Sequence, residues 1–127
     1  MSSAPILLDS SAWIEILGDL ARSASCQREL KGASQVLVPT IVMYEVYRKI
    51  ASSVSEDHAL QAAAMLARYK LQDLTKEVAL TAADISLEHK LGMADSMVLA
   101  HAVVGGATLV TLDNDFAGIM GVKVIRK

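Results

Sequence analysis

The chain has 127 residues, 53% of them hydrophobic, and a formal net charge of −2. That is enough to form one compact domain with a substantial core, over residues 1–127, and it excludes a disordered chain. It also excludes the strongly basic composition of an overt nucleic-acid-binding protein. Ile6 to Asp9 reads as a short buried strand ended by polar residues. Ser10-Ser11 offers an N-cap for a helix through Trp13, Ile14 and Leu17 that stops at Gly18. A polar, basic helix follows from Arg22 to Lys31, ended by Gly32, and Val36 to Val38 is a second strand. Pro39-Thr40 starts a helix running to about Ala51, which Ser52-Ser53 should break or bend. Ser55 with Glu56-Asp57 opens another, Ala59 to about Tyr69, rich in alanine and amphipathic. Leu71 to Leu74 is a strand candidate, and Thr75 caps a helix with Val78, Ala79, Ala82 and Ile85 on its inner face, closed by Gly92. Asp95 to Val104 is almost wholly apolar, hence a buried helix, closed by Gly105-Gly106. Leu109 to Leu112 and Val122 to Ile125 are the last strands. Strands alternating with helices imply right-handed crossovers and a parallel sheet covered by helices on both faces, a three-layer α/β sandwich.

Cys26 is the only cysteine, so no internal disulfide and no thiolate metal site can form. The start, Met1-Ser2-Ser3-Ala4-Pro5, has no basic segment, and Asp9 interrupts the apolar run that follows. No uncharged apolar stretch reaches the roughly 18 residues that cross a bilayer. A cytoplasmic protein with no membrane partner is expected.

Four acids occupy matched places in this pattern. Asp9 ends the run Ile6-Leu7-Leu8, and Asp113 ends the run Thr108 to Leu112. Glu45 lies one turn into the helix after Val36-Leu37-Val38, and Asp95 opens the helix leading to the Asp113 strand. In a parallel sheet all four reach the edge where open α/β sheets bind ligands. Carboxylates converging there repel one another unless a divalent cation sits among them. Oxygen donors without His or Cys suit Mg²⁺ or Mn²⁺, which serve phosphoryl transfer by activating water and stabilising the departing oxygen. Taken singly, each acid has an ordinary explanation: Asp9 a turn residue, Asp95 an N-cap, Asp113-Asn114-Asp115 a turn, Glu45 a solvated helix face. Capping chemistry does not require the two strand-ending aspartates to share an edge. Setting Asp9, Glu45, Asp95, Asp113 and Asp115 aside leaves nine acids against twelve basic residues, a mildly basic surround for an acidic hole.

Competing sites are poorer. His58, His89 and His101 lack metal-ligand spacing, and His101 on its apolar helix reads as a hydrogen-bonded core residue. No glycine-rich phosphate cradle occurs, and Ser10 and Ser11 have no Ser/His/Asp constellation around them. Arg22, Arg28 and Lys31 on one basic stretch, and Arg48 and Lys49 after Glu45, could hold phosphates beside the acids. Singly, each reads as part of a solvated helix face.

Four segments resemble the PIN domain family. They are Leu7-Leu8-Asp9-Ser10-Ser11-Ala12, Pro39-Thr40-Ile41-Val42-Met43-Tyr44-Glu45-Val46, Met93-Ala94-Asp95-Ser96-Met97-Val98-Leu99-Ala100-His101-Ala102, and Leu109-Val110-Thr111-Leu112-Asp113-Asn114-Asp115-Phe116. Their order, spacing and the chain's size are similar to the VapC-type toxins of prokaryotic toxin–antitoxin pairs. The resemblance implies a five-stranded parallel sheet of order 3-2-1-4-5 and a Mg²⁺- or Mn²⁺-dependent endoribonuclease that leaves a 5′-phosphate and a 3′-hydroxyl. It assigns metal coordination to Asp9, Glu45, Asp95 and Asp113, with Asp115 as an auxiliary acid and Thr111 and Ser10 as supporting polar groups. It also implies an RNA substrate, homodimers, and a small cognate antitoxin that inserts into the groove to give heterotetramers or larger assemblies. After Glu45 the run Val46-Tyr47-Arg48-Lys49 departs from the family's small, glycine-containing continuation. Two alternatives stand beside this reading. One is a degenerate PIN module that binds RNA or a partner without catalysis. The other is a haloacid-dehalogenase-like phosphatase with Asp9 as nucleophile, which needs an aspartate where this chain has Ser11.

Overall fold

A computed structural model describes residues 4–126; the leading Met1-Ser2-Ser3, on which part of the leader reading rests, lie outside them. The elements run β1 (Ile6–Leu8), α1 (Ser10–Leu17), α2 (Ser23–Gly32), β2 (Val36–Pro39), α3 (Thr40–Ser53), α4 (Glu56–Leu66), β3 (Lys70–Gln72), α5 (Lys76–His89), α6 (Met93–Gly105), β4 (Thr108–Thr111), a 3-10 turn (Asn114–Phe116) and β5 (Val122–Val124). The strands form one parallel sheet of order β3-β2-β1-β4-β5, as the resemblance implied. From β1 the chain steps outward to β2 and β3, then crosses back through α5 and α6 to β4. Right-handed crossovers therefore place α5 and α6 on the face opposite the helices that follow β1 and β2. The direction reverses between β1 and β4, and the crevice for a ligand opens at their carboxyl ends.

The central strands are buried on both faces, as parallel strands require. Leu7, Leu8, Leu37, Val38, Leu109 and Val110 are closed off from solvent, with Trp13 and Phe116 the largest side chains packed around them. Among the described residues no helix is long and apolar enough to cross a membrane. Close packing fixes Gly105 at the end of α6. A Cβ there would come within 2.6 Å of Leu37 Cδ1, and Leu37, itself in the core, has little room to yield.

Several boundaries differ from expectation, each for a local reason. Asp9, not Ser10 or Ser11, caps α1, accepting from the Ala12 amide at 3.1 Å. Ser52 and Ser53 do not break α3. Their hydroxyls fold back on the Lys49 carbonyl at 3.1 and 2.6 Å, and the break comes at Val54, whose φ of −125° and ψ of −80° leave the helix. Ser55 and Thr75 cap α4 and α5 as read, accepting from the amides of His58 and Val78. Lys90, left-handed at φ 57°, ends α5, while Gly92 becomes the N-cap of α6. Asp95 is therefore the third residue of α6 rather than its first.

His101 is 1% exposed on α6, but its Nδ1 has no hydrogen-bond partner, contrary to the expectation of a satisfied core histidine. Burial holds its pKa below the usual 6.5. With the folded pKa depressed, the unfolded chain binds more protons below about pH 6.5, and stability contributed by the neutral ring is lost as the pH falls. The melting temperature of the native chain should thus drop relative to a His101→Leu variant on acidification from pH ~7.5 to ~5.5. Parallel curves would show that the ring takes up its proton alike in the folded and unfolded chain, with no depressed pKa.

Candidate active site

Two strand ends build the site. Asp9 leaves β1 with its amide still bonded to the Val110 carbonyl at 3.1 Å. Its carboxylate, 7% exposed, gathers three donors: Ser11 Oγ at 2.6 Å and the Ala12 amide on Oδ1, and Thr111 Oγ1 in a short bond to Oδ2. The hydroxyls pass these contacts on. Ser11 Oγ accepts from the Leu112 amide at 3.1 Å, and Thr111 Oγ1 accepts from the Asp113 amide at 3.0 Å. Asp113 then caps the 3-10 turn through the Asp115 amide at 2.9 Å, and buried Phe116 anchors that turn in the core. The turns after β1 and β4 are thereby locked together by side chains 100 residues apart in sequence.

The first turn of α6 brings Asp95 to the same place. One carboxylate oxygen from each of Asp95, Asp113 and Asp115 lies within 4.8 Å of the other two. Glu45, half-buried on α3, faces Asp95 and Asp9 and lines a cleft with Ser10, Tyr44 and Asp113. The electrostatics agree with this crowding. Burial raises the pKa of Asp95, and the charges of Asp113, Asp9 and Asp115 raise it further. Burial and the charges of Asp95 and Asp9 raise that of Glu45, against a hydrogen bond from Ser10. Burial raises that of Asp9, and the donors from Ser11, Thr111 and Ala12 only partly oppose it.

All five predicted acids thus meet at one sheet edge, but not as four equal members. Asp115, read as auxiliary, belongs to the tight group; Asp9 stands behind it with both oxygens already engaged, and Glu45 forms the wall towards α3. Of the two supporting hydroxyls on Asp9, one comes from Thr111 as assigned and the other from Ser11 rather than Ser10, which lines the cleft with Glu45. Glu15 was not anticipated. It is 8% exposed in the cleft and accepts from the Arg22 amide at 2.8 Å. A glutamate among the apolar residues of α1 was its only sequence signal. Of the basic candidates, Arg22, Arg48 and Lys49 line the cleft. Arg28 lies in a separate hollow with Lys123 and Arg126, and Lys31 lines neither.

The group fits a hard divalent cation. Its donors are all carboxylate oxygens, close enough for one ion to touch, and their mutual repulsion is what such an ion relieves. Nitrogen and sulfur ligands are absent from the group.

No curated protein matches the chain in sequence. Solved structures do match it in fold. A toxin–antitoxin complex from Klebsiella pneumoniae superposes with a TM-score of 0.79 at 23% identity, covering 94% of this chain and 96% of that one. DNA-bound VapBC from Salmonella typhimurium gives 0.76 at 20% identity, covering 98% of each chain. VapC20 from Mycobacterium tuberculosis, described as a sarcin-ricin loop cleaving toxin, gives 0.75 at 18% identity over 91% of this chain and 95% of that one. The family match runs over residues 6–121, from the strand that delivers Asp9 to the turn beyond Asp115, and places the chain in the PIN domain family.

Proposed function

We propose that the chain is a Mg²⁺- or Mn²⁺-dependent endoribonuclease, the toxin of a type II toxin–antitoxin pair acting in the cytoplasm. The observation that carries this is the convergence of Asp95, Asp113 and Asp115, backed by Asp9 and Glu45, in a cleft that also holds basic side chains. Asp95, Asp113 and Asp115 would hold the ion directly, with Glu45 and Asp9 completing the negative surround. When bound, the ion supplies activation of the attacking water and charge stabilisation of the departing oxygen. Water oxygen bonds to phosphorus as the 3′-oxygen leaves, giving a 5′-phosphate and a 3′-hydroxyl. The chain's own part is to place the phosphate: Arg22, Arg48 and Lys49 can neutralise backbone charge on the cleft wall. Asp9 ties the turn after β1 to the turn after β4, which carries Asp113 and Asp115. Ser11 stands where the haloacid-dehalogenase alternative needs a second aspartate, and its hydroxyl is spent on Asp9, which argues against that alternative.

Two measurements test the reading together. Mg²⁺ or Mn²⁺ should raise the melting temperature, because ligand binding to the folded state stabilises it by mass action. The same ions should support cleavage of RNA. A melting temperature indifferent to both ions would remove the metal site; a shift without cleavage would favour the non-catalytic module. Arg48→Ala with Lys49→Ala should weaken RNA affinity and flatten its salt dependence, since fewer counterions are released, while the metal-induced shift stays unchanged. Unchanged affinity across a salt series would take both residues out of the RNA path.

The partner follows from the same reading. The Klebsiella and Salmonella neighbours are toxin–antitoxin assemblies. An apolar groove lined by Ile14, Leu17, Leu20, Ile50, Val54 and Met65 adjoins the cleft, with Ile14 and Lys49 lining both. An apolar segment of a small antitoxin lying there would reach the acids. The homodimer stays part of the proposal.

A further inference from the structure

We propose that the hollow between α2 and β5 is a second phosphate-binding subsite, which holds the RNA strand flanking the scissile phosphate; this rests on the ribonuclease reading. Two contacts join the hollow to the site. Arg22 lines the cleft, and its Nη1 reaches the carbonyl of Ile125 at 3.5 Å, where Ile125 already lines the hollow. Arg126 Nη1 reaches Asn114 Oδ1 at 3.4 Å, and Asn114 sits between Asp113 and Asp115. Basic side chains thus mark a route from Arg48 and Lys49 in the cleft, through Arg22, to Arg28 and Arg126 in the hollow, beside the acidic group.

Charge in the hollow exceeds what the fold needs. Lys123 pairs with Glu29 at 2.7 Å, and a lysine on an edge strand has an ordinary use in blocking further strand pairing. Arg28 and Arg126 have neither explanation. Among the described residues no carboxylate lies within salt-bridge distance of either. Both are exposed, and Arg126 lies just past the end of β5. Two guanidiniums without a carboxylate partner around a concave patch, each able to form paired hydrogen bonds to phosphate, suit a nucleic-acid backbone. Single-stranded RNA fits the setting, because a flexible strand can bend from the cleft into the hollow.

The test uses the full chain carrying Asp95→Asn, so that RNA binds without being cut. Affinity for an oligoribonucleotide long enough to span both regions is measured across a salt series, with and without Arg28→Gln plus Arg126→Gln. Arg68→Gln plus Lys70→Gln is the control: it removes the same charge beside and on β3, the opposite edge of the sheet. The Arg28/Arg126 variant should bind about tenfold more weakly, and the log–log salt slope should fall by about 1.4, the value for two lost single-strand phosphate contacts. The control should leave both unchanged. In the otherwise native chain, cleavage of a trinucleotide too short to reach the hollow should be indifferent to the Arg28/Arg126 change. Equal losses in variant and control would show a long-range charge effect and overturn the subsite, as would no loss in either. Loss of duplex DNA binding with RNA binding intact would overturn it in favour of a different nucleic acid. Failure of the Asp95→Asn parent to bind any RNA would overturn the ribonuclease reading itself, and the subsite with it.

Discussion

Asp95→Asn is expected to lower RNA cleavage by roughly two or more orders of magnitude while leaving the metal-free fold at least as stable as before. The two effects have one cause. Asp95 sits in a group whose charges repel, and its pKa is raised by burial and by Asp113, Asp9 and Asp115. A carboxyl whose pKa is higher in the folded state contributes stability at low pH, and loses it as the pH rises through the folded value. At neutral pH the ionised side chain is thus a cost that the amide removes, so the stability gain should fade on acidification. The same removal takes one oxygen ligand and one charge from the cation site. Asp9→Asn is a less clean substitution. Three donors converge on Asp9, and an amide turns an NH₂ towards at least one of them. Cleavage by Asp95→Asn at the native rate would remove this residue from the chemistry. A large loss of metal-free stability would show that Asp95 serves the fold instead.

Asp9 and Asp113 were legible in the sequence because each ends a short apolar run, and a parallel sheet leaves such residues only one edge to occupy. The helices were legible from their period and caps. What the sequence concealed were choices between adjacent residues of equal propensity. Asp9, Ser10 and Ser11 can all cap a helix, and the strand register, with Asp9 still bonded to Val110, decides among them. Gly92 can end one helix or start the next. Lys90 takes the left-handed position instead, and that moves Asp95 to the third residue of α6. The promotion of Asp115 follows from the Asp113 cap, which turns the 3-10 segment back on itself. Arg28 separates from Arg22 for a helical reason: Arg22 precedes α2 and faces the cleft, while Arg28, within that helix, faces β5. Sequence grouped them as one stretch, and only the packing of α2 shows them as two ends of one basic path.

Thr111→Val should destabilise the protein by about 2–4 kcal/mol at neutral pH and reduce cleavage by roughly tenfold to a hundredfold, though Thr111 touches neither ion nor substrate in this reading. The substitution keeps shape and removes one hydroxyl, fully buried, that donates to Asp9 and accepts from the Asp113 amide. Without it an oxygen of a buried carboxylate and a backbone N–H both lose their partner, at about 1–3 kcal/mol each. The activity loss has a geometric origin, because the Asp113 amide bond is what ties that turn to the turn after β1. The loss of stability should also depend on pH in a way simple loosening would not. Burial already raises the Asp9 pKa, and the Thr111 donor is one of the groups holding it down. Its removal moves the folded pKa further up, so the variant loses most where Asp9 must be ionised and recovers part of the difference as acid protonates it. The Asp113 contribution persists at every pH. Thr111→Ser, which restores the hydroxyl, should recover most of the activity and the shape of the stability–pH curve despite lacking the methyl group. Equal destabilisation by the serine and valine variants would assign the effect to packing of the methyl group. A valine variant with native stability and rate would show that the two turns hold together without this hydroxyl.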